Sequence, residues 1–367
     1  MTEQHSPLQS LREGHWFKLI CGASFQHLPA IRNLTLVYTL AGADCIDVAA
    51  DPAVILAAQE ALRVASQLGS FGMSWARPPH RPWLMVSLND GEDPHFRKAA
   101  FQPDRCPVEC LRPCETICPA DAIDHRGVLS DRCYGCGRCL PICPIQHITT
   151  RTYVSTPHAI APLIVEAGID AIEIHTQPGH FEGFQRLWAA IKPEIHHLKL
   201  LAISCPDGDE LIAYLQALAD LIAPLPCPLI WQTDGRPMSG DIGMGTTRAT
   251  VKLGQKVLQA GLPGYVQLAG GTNHHTVAKL RSLNLLRSPQ SQQTRSVPPP
   301  HIAGIAYGSY ARTLLQPALE IMESDTQLPK PIPQLETEPA QLQTAIHLAA
   351  SLVGQLKAPH VTPAAVP

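Results

Sequence analysis

Short apolar segments alternate along the chain with longer segments in which apolar residues recur every three or four positions. The short segments have the length and composition of buried strands, and the longer ones have the period of amphipathic helices. Regular alternation of this kind is typical of βα units on a parallel sheet. The predicted strands are Phe17–Cys21, Cys45–Ala49, Trp83–Leu88, Ala171–His175, Lys199–Ser204, Leu229–Gln232, Tyr265–Ala269 and Ile302–Ala306.

Helices predicted between these strands complete eight βα repeats, which indicate a (β/α)8 barrel of the TIM type. The alternative is a doubly wound α/β sheet. The first strand, however, continues CGASFQH and lacks the G-x-G-x-x-G turn of dinucleotide-binding sheets, so the barrel is favoured. The predicted helices are Leu28–Ala41, Pro52–Leu68, Ala159–Ala167, Phe181–Ile191, Asp209–Ile222, Thr246–Ala260, His274–Ser282 and Ser309–Met322.

The alternation is interrupted once, by a cysteine-rich segment at residues 101–150. It lies between the third predicted strand and its helix, so we expect an inserted α+β module of the two-cluster ferredoxin type at the carboxyl end of the barrel. Residues 1–100 and 151–324 would then form the two parts of the barrel. A proline-rich linker is predicted at 325–339, and a final helix with a mobile tail at 340–367.

Cysteine usage identifies the candidate chemistry. The chain of 367 residues contains 12 Cys, and eight of them lie between Cys106 and Cys143. The first residues show no basic start followed by a long apolar stretch, so we expect a cytoplasmic protein without a secretory signal. In a reducing compartment, densely spaced cysteines are more often metal ligands than disulfides.

The second cysteine run reads C-x2-C-x2-C-x3-C-P, which is the bacterial ferredoxin pattern for a [4Fe–4S] cluster. In two-cluster ferredoxins the fourth cysteine of each run binds the other cluster, and a first run is present upstream. The ends of the two runs also repeat, CETICPADAI against CLPICPIQHI. We therefore expect one cluster on Cys106, Cys110, Cys114 and Cys143, and the other on Cys118, Cys133, Cys136 and Cys139.

The spacing of the first run does not decide which type of cluster this run binds. Three residues, instead of two, separate its first cysteine from the second and the second from the third. This departure leaves open whether Cys106 is a ligand and whether the cluster is [4Fe–4S] or [3Fe–4S]. A pair of four-cysteine zinc sites is the alternative, but zinc ribbons space their cysteine pairs widely and do not need the terminal Cys-Pro.

Two glycine-containing turns follow the seventh and eighth predicted strands. Gly270 and Gly271 follow one, and Gly308 and Ser309 follow the other. In barrels of this type these loops commonly form a phosphate site from backbone amides, so they are candidates for binding a phosphate, a flavin or a similar anion. Tight-turn chemistry explains the glycines equally well, and no specific flavin motif is present.

Charge and hydropathy exclude two classes of partner. Lys and Arg number 28 against 31 Asp and Glu, a net charge of -3, which removes the broad electropositive surface of non-specific nucleic-acid binding. The longest apolar runs, such as Leu225–Trp231, are too short to cross a bilayer. We expect no nucleic-acid partner and no transmembrane segment.

Three long and unusual strings carry a family resemblance: GHWFKLICGASFQHLPAIRNLTLVYTLAGADCIDVAADPAV, the cysteine segment DRCPVECLRPCETICPADAI with DRCYGCGRCLPICPI, and IWQTDGRPMSGDIGMGTTRATVKLG with YVQLAGGTNHHT. With them the chain resembles the cyanobacterial light-dependent period protein family over nearly its whole length. The resemblance implies an iron–sulfur protein that reports light-dependent cellular redox state to the circadian clock, in association with clock-input proteins.

Two functions are compatible with this sequence. The first is a redox sensor that modulates circadian period and needs only the cysteines. The second is a ferredoxin-fused barrel oxidoreductase, in which the clusters pass electrons to a flavin or small substrate in the barrel.

Overall fold

A closed barrel of parallel strands lies at the centre of the molecule in the computed structural model, which describes residues 6–68, 80–118, 120–152, 164–236, 243, 245–287, 300–324 and 334–357. The strands in the described residues are β1 (Trp16–Ile20), β2 (Cys45–Ala49), β3 (Trp83–Asn89), β4 (Arg97–Ala100), β5 (Ile123–Asp124), β6 (Gly127–Val128), β7 (Thr149–Thr152), β8 (Ala171–His175), β9 (Leu200–Pro206), β10 (Leu229–Asp234), β11 (Tyr265–Ala269) and β12 (Gly304–Tyr307).

The barrel closes in the order β1-β12-β11-β10-β9-β8-β3-β2, and every neighbouring pair is parallel. Its eight strands are the eight predicted from the sequence, with ends that differ by two residues at most. The predicted barrel is therefore confirmed, and the doubly wound alternative is wrong because the sheet has no open edge.

Helices cover the outside of the barrel and bury its aliphatic outer surface. The helices that the structure describes are α1 (Pro7–Glu13), α2 (Leu28–Leu40), α3 (Pro52–Leu68), α4 (Pro113–Thr116), α5 (Cys139–Ile142), α6 (Phe181–Ile191), α7 (Leu211–Ile222), α8 (Thr246–Gln259), α9 (Thr276–Ser282), α10 (Ser309–Ser324) and α11 (Pro339–Lys357). The helix predicted at Ala159–Ala167 lies mostly outside the described residues. None of the described helices is both long and apolar enough to span a bilayer.

The barrel interior changes from apolar to polar along its axis. At the amino ends of the strands, Trp16 and Trp83 pack edge to face with ring centroids 5.6 Å apart, and Leu11 of α1 is buried with them. Because side chains of a strand alternate between its two faces, the next inward positions of β1 and β8 are Lys18 and Glu173, which are fully buried. The centre of the barrel therefore contains charge, above an apolar floor.

The cysteine-rich insertion leaves the carboxyl end of β3 and is joined to the barrel by an antiparallel pair, β4 with β7. A small hairpin of β5 and β6 and two single-turn helices, α4 and α5, complete it. Its buried core consists of Ala99, Cys114, Ala122, Ile123, Cys133, Cys139 and Ile148. The insertion thus has its own small core, made in part of the candidate ligands.

The last helix packs on the barrel. Leu342, Leu352 and Leu356 of α11 are buried, and Lys357 Nζ lies 2.6 Å from Asp44 Oδ1. Just before α11, Glu336 forms an ion pair with Arg32 of α2. Most of the linker predicted at 325–339 and the tail beyond Lys357 lie outside the described residues.

Candidate functional site

One group of cysteines is formed from both runs. Burial raises the pKa of Cys139 to about 12, and the charge of Cys118 contributes to this rise. Burial also raises the pKa of Cys136, where Cys118 again contributes. Cys133 acts on both of these thiols. Cys118 therefore lies within electrostatic reach of the second run, although it is the last cysteine of the first.

The other group is more exposed. Burial raises the pKa of Cys114, with a contribution from the charge of Cys143, the last cysteine of the second run. The pKa of Arg112 is raised first by its hydrogen bond to Glu115, and Cys106 and Cys114 both add to the rise. Cys106 and Cys114 therefore both lie within electrostatic reach of Arg112.

Backbone amides point at the sulfur atoms in the same way in both halves of the insertion. The amide of Ala122 donates to Cys118 Sγ at 3.3 Å, and the amide of His147 donates to Cys143 Sγ at 3.3 Å, each from four residues downstream. A third amide, of Ala99 in β4, donates to Cys133 Sγ at 3.4 Å. All-thiol donors supported by N–H groups fit an iron–sulfur cluster, whose sulfurs accept such bonds.

Glycine allows the second run to pack closely against β4. Gly135 and Gly137 have φ of +73° and +76°, which glycine adopts without cost. A Cβ at Gly135 would lie 2.2 Å from the carbonyl oxygen of Arg97, so no other residue fits there. The first run instead has Arg112 at φ +50°, which is unfavourable for a residue with a Cβ. The two cysteine runs therefore differ in backbone geometry as well as in spacing.

A buried ion-pair network fills the middle of the barrel. Lys18 Nζ lies 3.0 Å from Asp47 Oδ2 and also forms an ion pair with Glu173. Burial favours the neutral form of Glu173, but the opposing charges of Lys18 and His175 bring its pKa down to about 2. For Asp47 the effect of burial is larger than that of the Lys18 charge, so the pKa of Asp47 is raised to about 6.

The insertion contributes two side chains to the barrel mouth. Asp93 and His95 lie in the segment between β3 and β4, where the Asp93 carboxylate caps a short 3-10 turn. Asp93 Oδ1 lies 2.8 Å from His95 Nδ1. On the other side, Asp93 Oδ2 lies 3.7 Å from Nδ1 of His175, whose Nε2 is 2.9 Å from Glu173 Oε1. The mouth therefore contains ionisable groups from the barrel and from the insertion.

The four residues of the candidate anion site line one cavity at the mouth, together with His175, Asp234 and Arg312. Gly270 and Gly271 have φ of +60° and +93°, and a Cβ at Gly270 would lie 2.7 Å from the carbonyl oxygen of Arg236. A Cβ at Gly308 would make only ordinary contacts. Close backbone approach thus accounts for Gly270, and the anion site of Gly270, Gly271, Gly308 and Ser309 stays a prediction.

Arg312 of α10 connects the cysteine insertion with the mouth. Its guanidinium carbon lies 4.3 Å above the ring of Tyr134, which stands next to Cys133 in the sequence. The same guanidinium donates to the carbonyl oxygens of Ile20 and Cys21 and to Ser309 Oγ, each at 2.9 Å. A cation–π contact and three hydrogen bonds therefore link the second cysteine run to the rim of the barrel.

Several of these residues were not predicted from the sequence. Lys18, Asp47 and Glu173 each lie inside a predicted buried strand, and a charged residue there was the available signal. For Asp93 and His95 the sequence offered no comparable signal, since they lie in a loop with ordinary polar composition.

Comparison with known proteins gives matches over most of the chain. The family model of the light dependent period A C-terminal domain matches residues 163–355, and the model of the LdpA Fe-S cluster-binding domain matches residues 106–154. The curated protein "Light dependent period A" of Synechococcus elongatus (strain ATCC 33912 / PCC 7942 / FACHB-805) is 53% identical over 351 residues, which are 96% of this chain and 94% of that protein.

Solved structures show a weaker similarity. Tryptophan synthase of Mycobacterium tuberculosis is 12% identical, with 97% of each chain covered and a TM-score of 0.41. Tryptophan synthase subunit alpha of Legionella pneumophila is 13% identical, with 96% and 98% covered and a TM-score of 0.39. The carboxyl transferase domain of Rhizobium etli pyruvate carboxylase is 11% identical, with 96% of this chain and 51% of that chain covered and a TM-score of 0.40. The sequence matches, and not the structural ones, identify the chain. It belongs to the light dependent period A family and contains the iron–sulfur cluster-binding domain of that family.

Proposed function

We propose that this protein is an iron–sulfur redox sensor that modulates circadian period in response to light-dependent cellular redox state. The observation that carries the proposal is the cysteine insertion itself, attached to the barrel mouth and matching the iron–sulfur domain of a family whose curated member is named for a light-dependent period. A change of charge in the insertion would act on the mouth through Tyr134 and Arg312, which are in contact.

Two clusters fit the donor set best. We assign one to Cys106, Cys110, Cys114 and Cys143, and the other to Cys118, Cys133, Cys136 and Cys139. The electrostatic coupling of Cys118 to Cys136, and of Cys143 to Cys114, supports this crossed assignment. When bound, such clusters accept and release single electrons. The spacing of the first run and the strained backbone at Arg112 keep both [4Fe–4S] and [3Fe–4S] open for the first cluster.

A sensor also needs a partner, and we propose clock-input proteins in the cytoplasm, where thiols stay reduced. Val108 and Leu111, on either side of Cys110, are 98% and 95% exposed. Large apolar side chains that are fully exposed at one place are typical of protein-binding surfaces. A partner bound there would lie directly against the first-run cluster and would respond to its redox state.

The second candidate function is a barrel oxidoreductase that passes electrons from the clusters to a flavin or small substrate. The mouth cavity supports it, because the ionisable side chains His175, Asp234 and Glu173 all line it. Burial raises the pKa of Asp234, a change that is common among groups that move protons. Extraction of the anaerobically purified protein for flavin distinguishes the two functions most directly, since the sensor needs no flavin.

The decisive experiment replaces Cys136 by Ser in a cyanobacterial host that depends on this protein. We expect the purified wild-type protein to contain about eight irons per chain and the variant about four, because one of two four-iron clusters is lost. The barrel should remain folded, since Cys136 only packs against the barrel core as a partly buried neighbour and is not one of its buried members. Under the sensor function the variant should keep nearly the same clock period in dim and bright light.

Two further variants make the outcome specific. Cys227→Ser removes a half-buried barrel cysteine outside both runs, so iron content and light response should be unchanged. Asp234→Asn should leave the light response intact in a sensor and abolish it in an oxidoreductase. If Cys136→Ser keeps a normal light-dependent period at normal abundance, the clusters are not the sensing element.

A further inference from the structure

The three side chains Asp93, His95 and His175 form a compact group at the barrel mouth, away from the cysteines. One oxygen or ring nitrogen from each lies within 4.8 Å of the others. Asp93 Oδ1 lies 2.8 Å from His95 Nδ1, and Asp93 Oδ2 lies 3.7 Å from His175 Nδ1. For comparison, two ligand atoms that each lie about 2.1 Å from a metal ion are separated by roughly 3–3.5 Å. Small side-chain movements would therefore bring the three atoms onto one ion.

Among the described residues, one buried nitrogen of this group has no hydrogen-bond partner. His175 is 6% exposed, and its Nδ1 is buried without a hydrogen-bond partner among the described residues. The distance of 3.7 Å to Asp93 Oδ2 is too long for a hydrogen bond. An unsatisfied buried ring nitrogen is costly, and coordination of a metal would satisfy it.

The opposite ring nitrogen of His175 already has the partner that metal-binding histidines use. Nε2 lies 2.9 Å from Glu173 Oε1, and Glu173 is itself held by Lys18 and by Gln232 Nε2 at 2.6 Å. A carboxylate behind a histidine fixes the ring orientation and the tautomer that leaves the facing nitrogen free to bind a metal. The site therefore has outer support as well as candidate ligands.

The local charge favours a cation. Asp93 acts electrostatically on both imidazoles, Asp234 on His95 and Glu173 on His175, whereas Lys18 is shared between Glu173 and Asp47. We propose that Asp93, His95 and His175 bind one divalent first-row transition-metal ion, separate from the iron–sulfur clusters. This proposal does not depend on the redox-sensor function.

Two histidines and one carboxylate leave coordination positions open. His95 and His175 both line the mouth cavity, so these open positions would face the space between them and Gly270, Gly271 and Ser309. Such a donor set suits zinc, iron(II) and manganese(II), and an open position allows the ion to bind a small anionic ligand. The metal would thus add a positive charge to a cavity that Arg312 also lines.

The test uses the anaerobically purified holoprotein and Mn²⁺, which has little affinity for thiols. Free Mn²⁺ gives a six-line electron paramagnetic resonance spectrum at room temperature, where iron–sulfur clusters give no signal. We expect the wild-type protein to remove one equivalent of Mn²⁺ from this spectrum. Asp93→Asn should weaken binding by roughly 100-fold, since losing even an outer-shell partner costs 10–100-fold.

The chain provides a matched control. Glu194, His196 and His197 also lie close enough to share an ion, but His196 and His197 are exposed. His197→Ala should leave Mn²⁺ binding unchanged. Iron content and far-UV circular dichroism confirm that each variant is folded, and His95→Ala replaces Asp93→Asn if the latter does not fold. Failure of the wild-type protein to bind one Mn²⁺, or binding that survives both mouth variants, overturns the proposal.

Discussion

The barrel and the cysteine insertion are held together by different means. The barrel buries a continuous aliphatic and aromatic core between its strands and helices. The insertion buries seven residues in its own core, and three of them are the candidate ligands Cys114, Cys133 and Cys139. Since so few apolar side chains rarely stabilise a fold alone, the comparison indicates that the insertion depends on its metal and the barrel does not.

The two regions also place their charges differently. In the barrel, Lys18 and Glu173 are fully buried and face each other across the interior. In the insertion, Arg126 and Asp124 form an ion pair on the surface, where Arg126 is 70% exposed. Removing one charged side chain should therefore cost much free energy of unfolding in the barrel and little at this edge of the insertion.

Removal of iron should have the largest effect. When iron is removed anaerobically with a chelator, the amides of residues 97–152 should lose all hydrogen-exchange protection, because the thiols then bind no metal and the remaining core is too small. The amides of β8 to β12 should keep their protection in the same sample. Hydrogen exchange followed by mass spectrometry measures both.

The barrel peptides serve as the internal control for this experiment. Loss of protection in both regions at once would show that they form one cooperative unit. Full protection of the insertion without iron would show that its seven-residue core is sufficient by itself and that the insertion, like the barrel, does not depend on a metal.

The strands of the barrel could be predicted from sequence because each depends on a local pattern. Mostly apolar runs such as Ala171–His175 and Tyr265–Ala269 are found within the predicted bounds, since most positions of a parallel strand buried on both faces are apolar. The iron–sulfur domain was equally visible, because its cysteines are close in sequence. Local spacing thus identified the fold class and the iron–sulfur domain.

The charged centre of the barrel could not be predicted in the same way. Lys18 and Glu173 are separated by 155 positions and meet only because β1 and β8 lie in one closed barrel. The approach of Asp93 to His175 depends on the path of the loop after β3, which no periodic pattern specifies. Both arrangements follow from tertiary geometry, and the sequence shows only isolated polar residues.

Loss of the central cation should have the next largest effect. Lys18→Met leaves Asp47 buried without its counter-ion and Glu173 with His175 alone, and the expected loss in the free energy of unfolding is about 3–5 kcal/mol. Urea unfolding followed by circular dichroism measures it. Iron content should not change, because Lys18 lies in the barrel and the thiols lie in the insertion.

A second substitution checks the cause of this loss. Glu173→Gln added to Lys18→Met removes one of the two carboxylates that have lost Lys18. The other, Asp47, can take up a proton, since its pKa is about 6. The double variant should regain part of the lost stability. If it is less stable than Lys18→Met, the loss came from packing of the lysine side chain and not from unpaired charge.

Replacement of a surface arginine of the insertion should have the smallest effect. The Arg126 guanidinium binds Asp124 Oδ2 at 2.8 and 3.1 Å, and both side chains face solvent at the β5–β6 hairpin. Because water and salt screen such a pair, Arg126→Ala should leave the melting temperature, iron content and cluster reduction potentials unchanged. Redox titration of both proteins tests the last point. A changed potential would mean that surface charge reaches the clusters, so that the charges of the insertion, like those of the barrel, would have a functional role.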